Sequence, residues 1–418
     1  MSVGSAGDSF MLLSPTGTGK TLAFLVPLVE RVAVGDDAVK AVVIVPSREL
    51  AIQIDGVFGR VKSLVRSFAC YGGRPAMDEN RIMRELKPQI VVGTPGRLLD
   101  HIRKGNIDLH AVNSVVLDEF DKSLELGFHD EMSDIFSYLP SRGVRRILTS
   151  ATTMEEVPPF VGFDVKADEV LDFLQPTERK SALAEYVVHS PDADKLETLG
   201  RLLTDRGSEA CIVFVNYRES VDRVGGYLRS EGFEVELFHG GMEQEMRERA
   251  LFRFRSGGSN VLVSTDLSAR GLDIAHVEGI VHYHLPLNRD AYIHRTGRTG
   301  RWDASGSSFI ILNPKETLPE YAAGVVEYEV KSASVRPEKP RWITLYIGRG
   351  KKDKIGKADL VGFFCKQGGL RAENIGIIEI KPYHAYISIE SKVARKALSL
   401  IQNEKIKGKN TKIELMKR

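Results

Sequence analysis

The chain of 418 residues is long enough for two or three domains, each able to bury its own core. Its 42% hydrophobic and 27% charged residues are typical of a soluble globular protein and exclude a wholly disordered or collagen-like chain. No apolar run reaches the length of a membrane-spanning helix, and the N-terminus lacks the features of a signal peptide. The 3 cysteines are far apart and offer neither a disulfide framework nor zinc-ligand spacing. We therefore expect a cytoplasmic protein with no membrane partner.

The formal net charge of +2 conceals an uneven distribution. Residues 341–418 carry 18 Lys and Arg against 7 Asp and Glu, a net charge of +11. The residues before them carry 40 against 49, a net charge of −9. A basic segment on a mildly acidic body predicts a domain that binds a polyanion, and nucleic acid is the commonest polyanion in a cytosol. A solvated lysine-rich face is the alternative explanation of the charge alone.

Short β-branched runs alternate with helical patterns over the first three quarters of the chain. After a strand-like segment at 10–13, one series of buried strands is predicted at 41–45, 90–92, 114–117 and 146–148, and a second at 211–215, 261–263, 279–281 and 309–312. Each series is typical of a parallel sheet covered by helices, so the sequence predicts an α/β domain twice. Proline-containing irregular segments mark the boundaries, which we place to give domains at 1–178, 179–325 and 341–418 with a linker at 326–340.

The third domain has a different pattern. An alternating strand at 341–347 is followed by a helix, two strands near 375–381 and 384–389, a second helix and a strand near 411–416. This βαββαβ order is that of small ferredoxin-like domains, which include RNA-recognition motifs. Tyr346 and Tyr386 are candidates for stacking RNA bases. Trp342, Phe363 and Phe364 are expected to pack in the core or between domains.

A glycine-rich loop follows the first predicted strand and precedes an apolar helical stretch. Its residues are Ser14, Pro15, Thr16, Gly17, Thr18, Gly19, Lys20 and Thr21. The phosphate-binding loop has Gly, four residues, then Gly-Lys-Ser/Thr, and here Ser14 stands in place of the first Gly. Backbone N–H groups and a helix N-terminus suit a triphosphate. The pattern predicts nucleotide binding, with Lys20 on the β- and γ-phosphates and Thr21 on Mg²⁺.

Two adjacent carboxylates follow the buried strand at 114–117. Asp118 is placed to hold Mg²⁺, and Glu119 is placed to orient and deprotonate an attacking water. An Asp-Glu pair is common on protein surfaces, but this one gains weight from the upstream loop and from the unit Asp118-Glu119-Phe120-Asp121.

With these motifs in this order, the chain resembles the DEAD-box RNA helicases over nearly all of residues 10–315. The matching segments, in family order, are 46–51, 72–73, 94–97, 118–121, 150–152, 214–216, Gln244 with Arg247, 264–273 and 294–301. The resemblance implies two RecA-like α/β lobes that bind ATP and close on single-stranded RNA.

The resemblance also implies roles for individual residues. Arg298 and Arg301 would act on the γ-phosphate, and Asp273 would contact the ribose side of the nucleotide. Four residues would couple ATP hydrolysis to RNA: Asp121, Ser150, Thr152 and His294. Contacts with the RNA backbone, which position a strand without reading its bases, are implied for Pro46, Arg48, Gly73, Thr94, Gly96, Arg97, Gln244, Arg247 and Thr265.

Three departures from the family pattern stand out. Phe120 replaces the usual Ala of the acidic motif, and we expect activity with local repacking. His284 stands where the family usually has Asp, and we assign it no catalytic role. Only a short segment precedes Ser14, so the upstream adenine-recognising motif is missing; we expect an N-terminally truncated chain that binds ATP more weakly and less selectively.

Residues 341–418 resemble the RNA-binding domain of the DbpA subfamily. The matching stretches are 343–348, the basic loop 349–354, 359–362 and 406–409. The resemblance implies a target in large-subunit ribosomal RNA and a role in ribosome assembly on a pre-ribosomal particle, with Lys351, Lys352 and Lys354 as contact residues. We expect a monomer. Two alternatives stay open: a catalytically impaired RNA-binding scaffold, and a DNA translocase of the same superfamily.

Overall fold

The computed structural model describes residues 9–15, 18–32, 36–61, 64–154, 156–174, 183–266, 277–300, 306–402 and 404–416. These residues form two compact units, one before residue 180 and one after it. Thr16, Gly17, Asp273 and Arg301 lie outside the described residues. Within the described ranges, no helix is long and apolar enough to cross a membrane.

The first unit is a seven-stranded parallel sheet with helices on both faces. Its strands are β1 (Phe10–Leu13), β2 (Ala41–Ile44), β3 (Ser67–Cys70), β4 (Ile90–Gly93), β5 (Ser114–Leu117), β6 (Arg145–Ser150) and β7 (Glu169–Asp172). Its helices are α1 (Lys20–Arg31), α2 (Arg48–Phe58), α3 (Ala76–Leu86), α4 (Pro95–Arg103), α5 (Phe120–Glu125) and α6 (His129–Ser137). The strand order is β3-β4-β2-β5-β6-β1-β7. Alternate residues of β2 belong to two separate cores, as a sheet buried on both faces requires.

The second unit contains a parallel sheet of the same kind. Its strands are β8 (Leu183–His189), β9 (Cys211–Val215), β10 (Val235–Phe238), β11 (Val261–Thr265), β12 (Gly279–His282), β13 (Gly306–Leu312) and β14 (Val326–Glu327), in the order β10-β11-β9-β12-β13-β8-β14. The helices are α7 (Leu196–Asp205), α8 (Arg218–Ser230), α9 (Gln244–Arg255) and α10 (Arg289–Thr296). The two sheets confirm the doubled α/β pattern predicted from the sequence.

The second unit also contains a smaller antiparallel domain. Its elements are β15 (Trp342–Ile347), α11 (Lys357–Lys366), β16 (Ile375–Ile380), β17 (Ala385–Glu390), α12 (Ser391–Ile401), the hairpin of β18 (Lys405–Ile406) and β19 (Lys409–Asn410), and β20 (Ile413–Leu415). The sheet order is β16-β17-β15-β20, which confirms the predicted βαββαβ domain with one added hairpin. Phe363 and Phe364 lie in its core, as expected.

The segment between the second parallel sheet and the small domain lies along helix α7. The side chain of Asp205 accepts hydrogen bonds from the backbone N–H groups of Lys331 (2.6 Å) and Ser332 (2.7 Å). Val335 approaches α7 so closely that a Cβ atom at Gly200 would lie 2.9 Å from it. This segment therefore ties the small domain to the sheet before it.

Candidate nucleotide and nucleic-acid sites

The predicted residues of the first unit follow the carboxyl ends of neighbouring parallel strands. Nucleotide residues follow β1 and β5, coupling residues lie at the end of β6, and RNA residues follow β2, β4 and β3. Because these strands are parallel and adjacent in the sheet, all six ends lie on one edge. The edge thus consists of two adjoining parts, one for each predicted ligand, which is where open α/β sheets bind ligands.

The loop after β1 holds Lys20 at the start of helix α1. The Lys20 Nζ donates a hydrogen bond of 2.7 Å to the carbonyl oxygen of Ser14, and the side chain is buried. The hydroxyls of Ser14 and Thr18 are 2.6 Å apart. Gly19 has φ +94°, a left-handed conformation that favours glycine, and it caps the helix that Lys20 begins. Local backbone geometry therefore places the ammonium group within the loop.

Asp118 and Glu119 are fixed by Thr149, the penultimate residue of β6. The Thr149 hydroxyl donates to Asp118, and the Glu119 N–H donates to the Thr149 oxygen at 3.1 Å. Glu119 has φ +50°, a left-handed conformation that is uncommon outside glycine and concentrates at functional sites. Burial raises the pKa of Asp118, against the Thr149 hydrogen bond and the charge of Lys20. Motif spacing did not reveal the role of Thr149.

The predicted coupling residues of the first unit form one cluster. The Thr152 hydroxyl donates to the Asp121 carboxylate at 3.1 Å. The Ser150 hydroxyl donates to the Thr152 carbonyl oxygen at 2.7 Å and accepts from the Thr152 N–H at 3.1 Å. Phe120, the unusual residue of the acidic motif, is fully buried in the core beneath. The loop after β6 is thereby linked directly to the first turn of helix α5, which follows β5.

The RNA part of this edge is organised by a buried carboxylate that the sequence did not point to. Glu79 on α3 is 1% exposed, and its oxygens contact Arg97 Nε at 2.7 Å and His101 Nε2 at 2.9 Å. It also accepts from the Tyr71 N–H at 3.2 Å. Glu79 therefore joins the glycine loop after β3 to helix α4, which begins after Thr94.

Arg48 lies against the same glycine loop. A Cβ atom at Gly72 would lie 3.1 Å from Arg48 Nη2, and Gly73 has φ +97°, a left-handed conformation that favours glycine. Pro46 is buried, Gly96 is exposed, and Thr94 and Arg97 are half-buried. The structure thus brings together the RNA-contact residues predicted for the first unit.

Helix α10 of the second unit carries a buried arginine that the sequence analysis did not single out. Arg295 is 1% exposed, and its Nε and Nη2 donate hydrogen bonds to the two carboxylate oxygens of Asp266, at 2.5 and 2.7 Å. It also donates to the Asn216 side chain at 2.8 Å and to the His284 carbonyl oxygen at 2.7 Å. Arg295 therefore holds the ends of β9, β11 and β12 together. His294 and Arg298, the predicted coupling and γ-phosphate residues beside it, are also buried.

His284 belongs to the same network. Its Nδ1 accepts a hydrogen bond of 3.1 Å from the Asn216 N–H. Burial lowers the pKa of His284, and the neighbouring cationic Lys195 adds to that effect. The imidazole is therefore a neutral acceptor at the end of β12, where a carboxylate is usual in the family.

Helix α9 begins with the predicted RNA residues of the second unit. Gln244 is buried, and among the described residues neither its amide oxygen nor its amide nitrogen has a hydrogen-bond partner. One turn later, the Arg247 guanidinium lies 4.7 Å from the ring centroid of Phe238. Thr265 lies at the end of β11, the strand that pairs with β10. An unsatisfied buried amide is costly, which favours an external hydrogen-bonding ligand at Gln244.

The small domain packs its sheet face on the far end of helix α9. The ring of Tyr386 is 1% exposed and its centroid is 5.2 Å from that of Phe252. Arg255 contacts Glu379 at 2.8 Å, and Lys381 contacts Glu248 at 2.8 Å.

This packing corrects one expectation. Tyr386 is covered by protein, so the prediction that it stacks RNA bases is wrong, and Tyr346 lies half-buried beside the same cluster. Trp342 packs between domains as expected, because a Cβ atom at Gly257 would lie 2.9 Å from its ring.

The three predicted lysine contacts lie at one end of the small domain's sheet. Lys351, Lys352 and Lys354 are all exposed, in and just after a short turn of 3-10 helix at Lys351–Asp353. Because β15 ends where β17 and β20 begin, the loops 348–356, 381–384 and 405–412 all meet at this end. We call it the loop end of the domain.

The sheet topology, the phosphate-binding loop and the acidic pair at the strand ends define a two-lobed nucleoside triphosphatase of the RecA-like kind. Residues 1–158 match the DEAD/DEAH box helicase family, 194–303 the helicase conserved C-terminal domain, and 344–415 the DbpA RNA binding domain. The chain is 32% identical to the ATP-dependent RNA helicase DbpA of Escherichia coli, covering 99% of this chain and 92% of that protein. It is 30% identical to DbpA of Bacillus subtilis, covering 96% and 90%.

Solved structures agree. Saccharomyces cerevisiae Dbp5 bound to RNA and ADP BeF3 is 31% identical, with 73% of this chain and 80% of that chain covered and a TM-score of 0.67. Mss116p bound to ssRNA and AMP-PNP is 27% identical, with coverage of 78% and 72% and a TM-score of 0.68. The chain therefore belongs to the DbpA subfamily of DEAD-box ATP-dependent RNA helicases. It is an ATP-hydrolysing enzyme that acts on RNA. This membership argues against both alternatives, the catalytically impaired scaffold and the DNA translocase.

Proposed function

We propose that this RNA helicase remodels structured RNA of the large ribosomal subunit during ribosome assembly, as a cytoplasmic monomer that works on a pre-ribosomal particle. The observation that carries the proposal is the basic DbpA-type domain packed on helix α9, the helix whose first turn holds Gln244 and Arg247. A domain attached in this way delivers RNA to a defined part of the second lobe.

Binding by the small domain is proposed to start with phosphates. The exposed cations Lys351, Lys352 and Lys354 lie on one short turn, and such contacts attract RNA whatever its sequence. Each phosphate contact contributes a slope of about −0.7 to −0.9 to log K against log salt. Binding through the loop end is therefore expected to weaken steeply as salt rises.

ATP is proposed to bind at the loop after β1, with Lys20 on the β- and γ-phosphates beside Ser14, Pro15, Thr18, Gly19 and Thr21. The Thr21 hydroxyl and the Asp118 carboxylate are hard oxygen donors of the type Mg²⁺ prefers, and burial makes the Asp118 charge costly unless a cation lies nearby. These residues thus fit Mg²⁺, which would neutralise charge that develops on the phosphates. Glu119 is held by Thr149 in a position suited to orienting the attacking water.

The link from ATP to RNA is proposed to run along the edge of the first sheet. Asp121 contacts Thr152, so a movement of the acidic residues after β5 is passed to the segment after β6. β5 is in turn the direct neighbour of β2, whose end leads to Arg48. A change at the γ-phosphate therefore has a short path to the RNA part of the edge.

The test is RNA-stimulated ATP hydrolysis with purified large-subunit ribosomal RNA. The variant K351E/K352E/K354E is expected to need at least about 10-fold more RNA for half-maximal stimulation. It loses several contacts with phosphates, and its new carboxylates repel the RNA backbone. The slope of log affinity against log salt should fall by about 2–3. The maximal rate should stay within about twofold of wild type, since the ATP site is untouched.

The matched control is K392E/K396E, which reverses two exposed lysines on helix α12. Helix α12 starts beside Arg341, at the end of the sheet opposite the loop end. This control should resemble wild type. Equal losses in the two variants, or no loss in either, would contradict the proposed RNA surface.

A further inference from the structure

The sheet face on which RNA-recognition motifs stack bases is occupied in this protein. Tyr386 is buried against Phe252 of helix α9, and Tyr346 stacks on His384 with ring centroids 5.5 Å apart. The Tyr386 ring is therefore closed to a base, and Tyr346 is half-buried with one face on His384. This leaves room for an aromatic base contact outside the sheet face.

One tyrosine of the small domain stands exposed at the loop end. Tyr383 lies in the loop 381–384 that joins β16 to β17, and 61% of its surface is open to solvent. His384 separates it in sequence from Ala385, the first residue of β17. Its ring lies against the exposed Lys352.

The backbone holds this loop in a fixed shape. The N–H groups of Lys351 and Lys352 donate to the carbonyl oxygens of Lys381 and Pro382, each at 2.9 Å. The loops approach so closely that a Cβ atom at Gly350 would lie 2.2 Å from the Lys381 oxygen. Tyr383 is thus presented by a braced loop, which lowers the entropy lost when a ligand stacks on its ring.

The charge around the ring suits a nucleotide. The Lys352 ammonium lies 4.2 Å from the centroid of the Tyr383 ring and contacts its hydroxyl. Lys351 and Lys354 are exposed on the same turn. An aromatic face beside several cations is the arrangement that binds single-stranded nucleic acid, because the ring stacks a base while the cations hold the phosphates that flank it.

We propose that Tyr383 is the platform on which the small domain stacks one unpaired base of its RNA target, while Lys352 holds a phosphate next to that base. This inference rests on the proposed function of the domain in RNA binding. It adds a base contact to a surface whose lysines recognise only the backbone, and it assigns to a loop the stacking that RNA-recognition motifs perform on their sheet face.

The experiment measures the affinity of the full chain for large-subunit ribosomal RNA over a range of salt concentrations. Y383A is expected to bind about 5- to 150-fold more weakly, the cost of losing one stacked base. The salt slope should be unchanged, because stacking releases no counterions. Y383F and Y383W keep a ring and should bind within about threefold of wild type, which shows that the alanine variant loses the ring and not the fold.

A matched control and three outcomes make the test decisive. Y138A removes a half-exposed tyrosine of the first unit and should leave the affinity unchanged. Affinity of Y383A within twofold of wild type, in a protein whose K351E/K352E/K354E variant binds weakly, would refute the stacking role while leaving the RNA surface in place. A salt slope that falls by about one in Y383A would show that the substitution acts through Lys352, which also overturns stacking. If the lysine variant itself binds normally, the proposed RNA surface fails instead.

Discussion

The buried arginine of helix α10 gives the sharpest stability prediction. Arg295→Met keeps much of the side-chain volume but removes the hydrogen bonds that Arg295 donates to Asp266, the Asn216 side chain and the His284 carbonyl oxygen. Breaking a buried ion pair on one side costs about 3–5 kcal/mol. The remaining carboxylate, Asp266, is only 19% exposed, so we expect a cost in this range. The second unit should therefore unfold with about 3–5 kcal/mol less stability.

Differential scanning calorimetry of the full chain measures this loss. For a unit of this size, 1 kcal/mol corresponds to about 2–4 °C, so the transition of the second unit should fall by about 6–20 °C. Arg289→Met, at the exposed first position of the same helix, is the control and should leave the transition within about 2 °C. A transition of Arg295→Met within about 2 °C of wild type would refute the structural role assigned to Arg295.

Three further predictions concern the ATP loop, the docking of the small domain and a buried histidine. Lys20→Ala should lower the maximal rate of RNA-stimulated ATP hydrolysis by at least about 100-fold, because the ammonium on the phosphates is lost. Gly257→Val should release the small domain from helix α9, since a Cβ atom there would lie 2.9 Å from the Trp342 ring; limited proteolysis and a red-shifted tryptophan emission report it. Burial and the neighbouring Arg295 lower the pKa of His282, so the unfolded chain takes up a proton that the folded protein does not. Stability should then fall below about pH 6.5 by up to about 1.4 kcal/mol per pH unit, and His282→Asn should flatten that fall in urea unfolding.

Each of these predictions has a matched control. RNA affinity measured without ATP should be unchanged in Lys20→Ala, and near-normal hydrolysis would contradict the assigned role. Gly324→Val also places a side chain at a positive φ, but nothing lies within 4 Å of it, so it should leave the small domain docked. The control for His282→Asn is the range above about pH 8, where the imidazole of the unfolded chain is neutral and the two proteins should show the same pH slope. Identical pH slopes in wild type and His282→Asn would disprove the contribution of the buried imidazole.

The regular part of the fold could be predicted because buried parallel strands are continuous apolar runs. β2, β4, β5, β9 and β13 are rich in Val and Ile, and each was found from sequence. β3 reads Ser-Phe-Ala-Cys, and β7 carries acidic residues at both ends of an exposed edge, so neither has a strand pattern. Their place in the sheet depends on pairing with β4 and β1.

The site divides in the same way. Lys20, Asp118 and Glu119 could be located because their chemistry depends on local spacing beside a strand end. Glu79, Thr149 and Arg295 could not, because each acts on partners that the fold brings from distant parts of the chain.

The burial of Tyr386 likewise could not be predicted from the sequence. An alternating strand pattern is the same whether the outer face of the strand binds RNA or packs on Phe252. Only the packing of the small domain on α9 shows which of the two occurs.

The most direct test of the proposed function compares two ribosomal RNAs as activators of ATP hydrolysis. The intact chain should reach half-maximal stimulation at a concentration of large-subunit RNA at least about 10-fold lower than that of small-subunit RNA. The chain without residues 341–418 should keep a weak RNA-dependent activity and respond equally to both. Equal stimulation of the intact chain by the two RNAs, or unchanged selectivity after the deletion, would contradict a targeting role for the small domain.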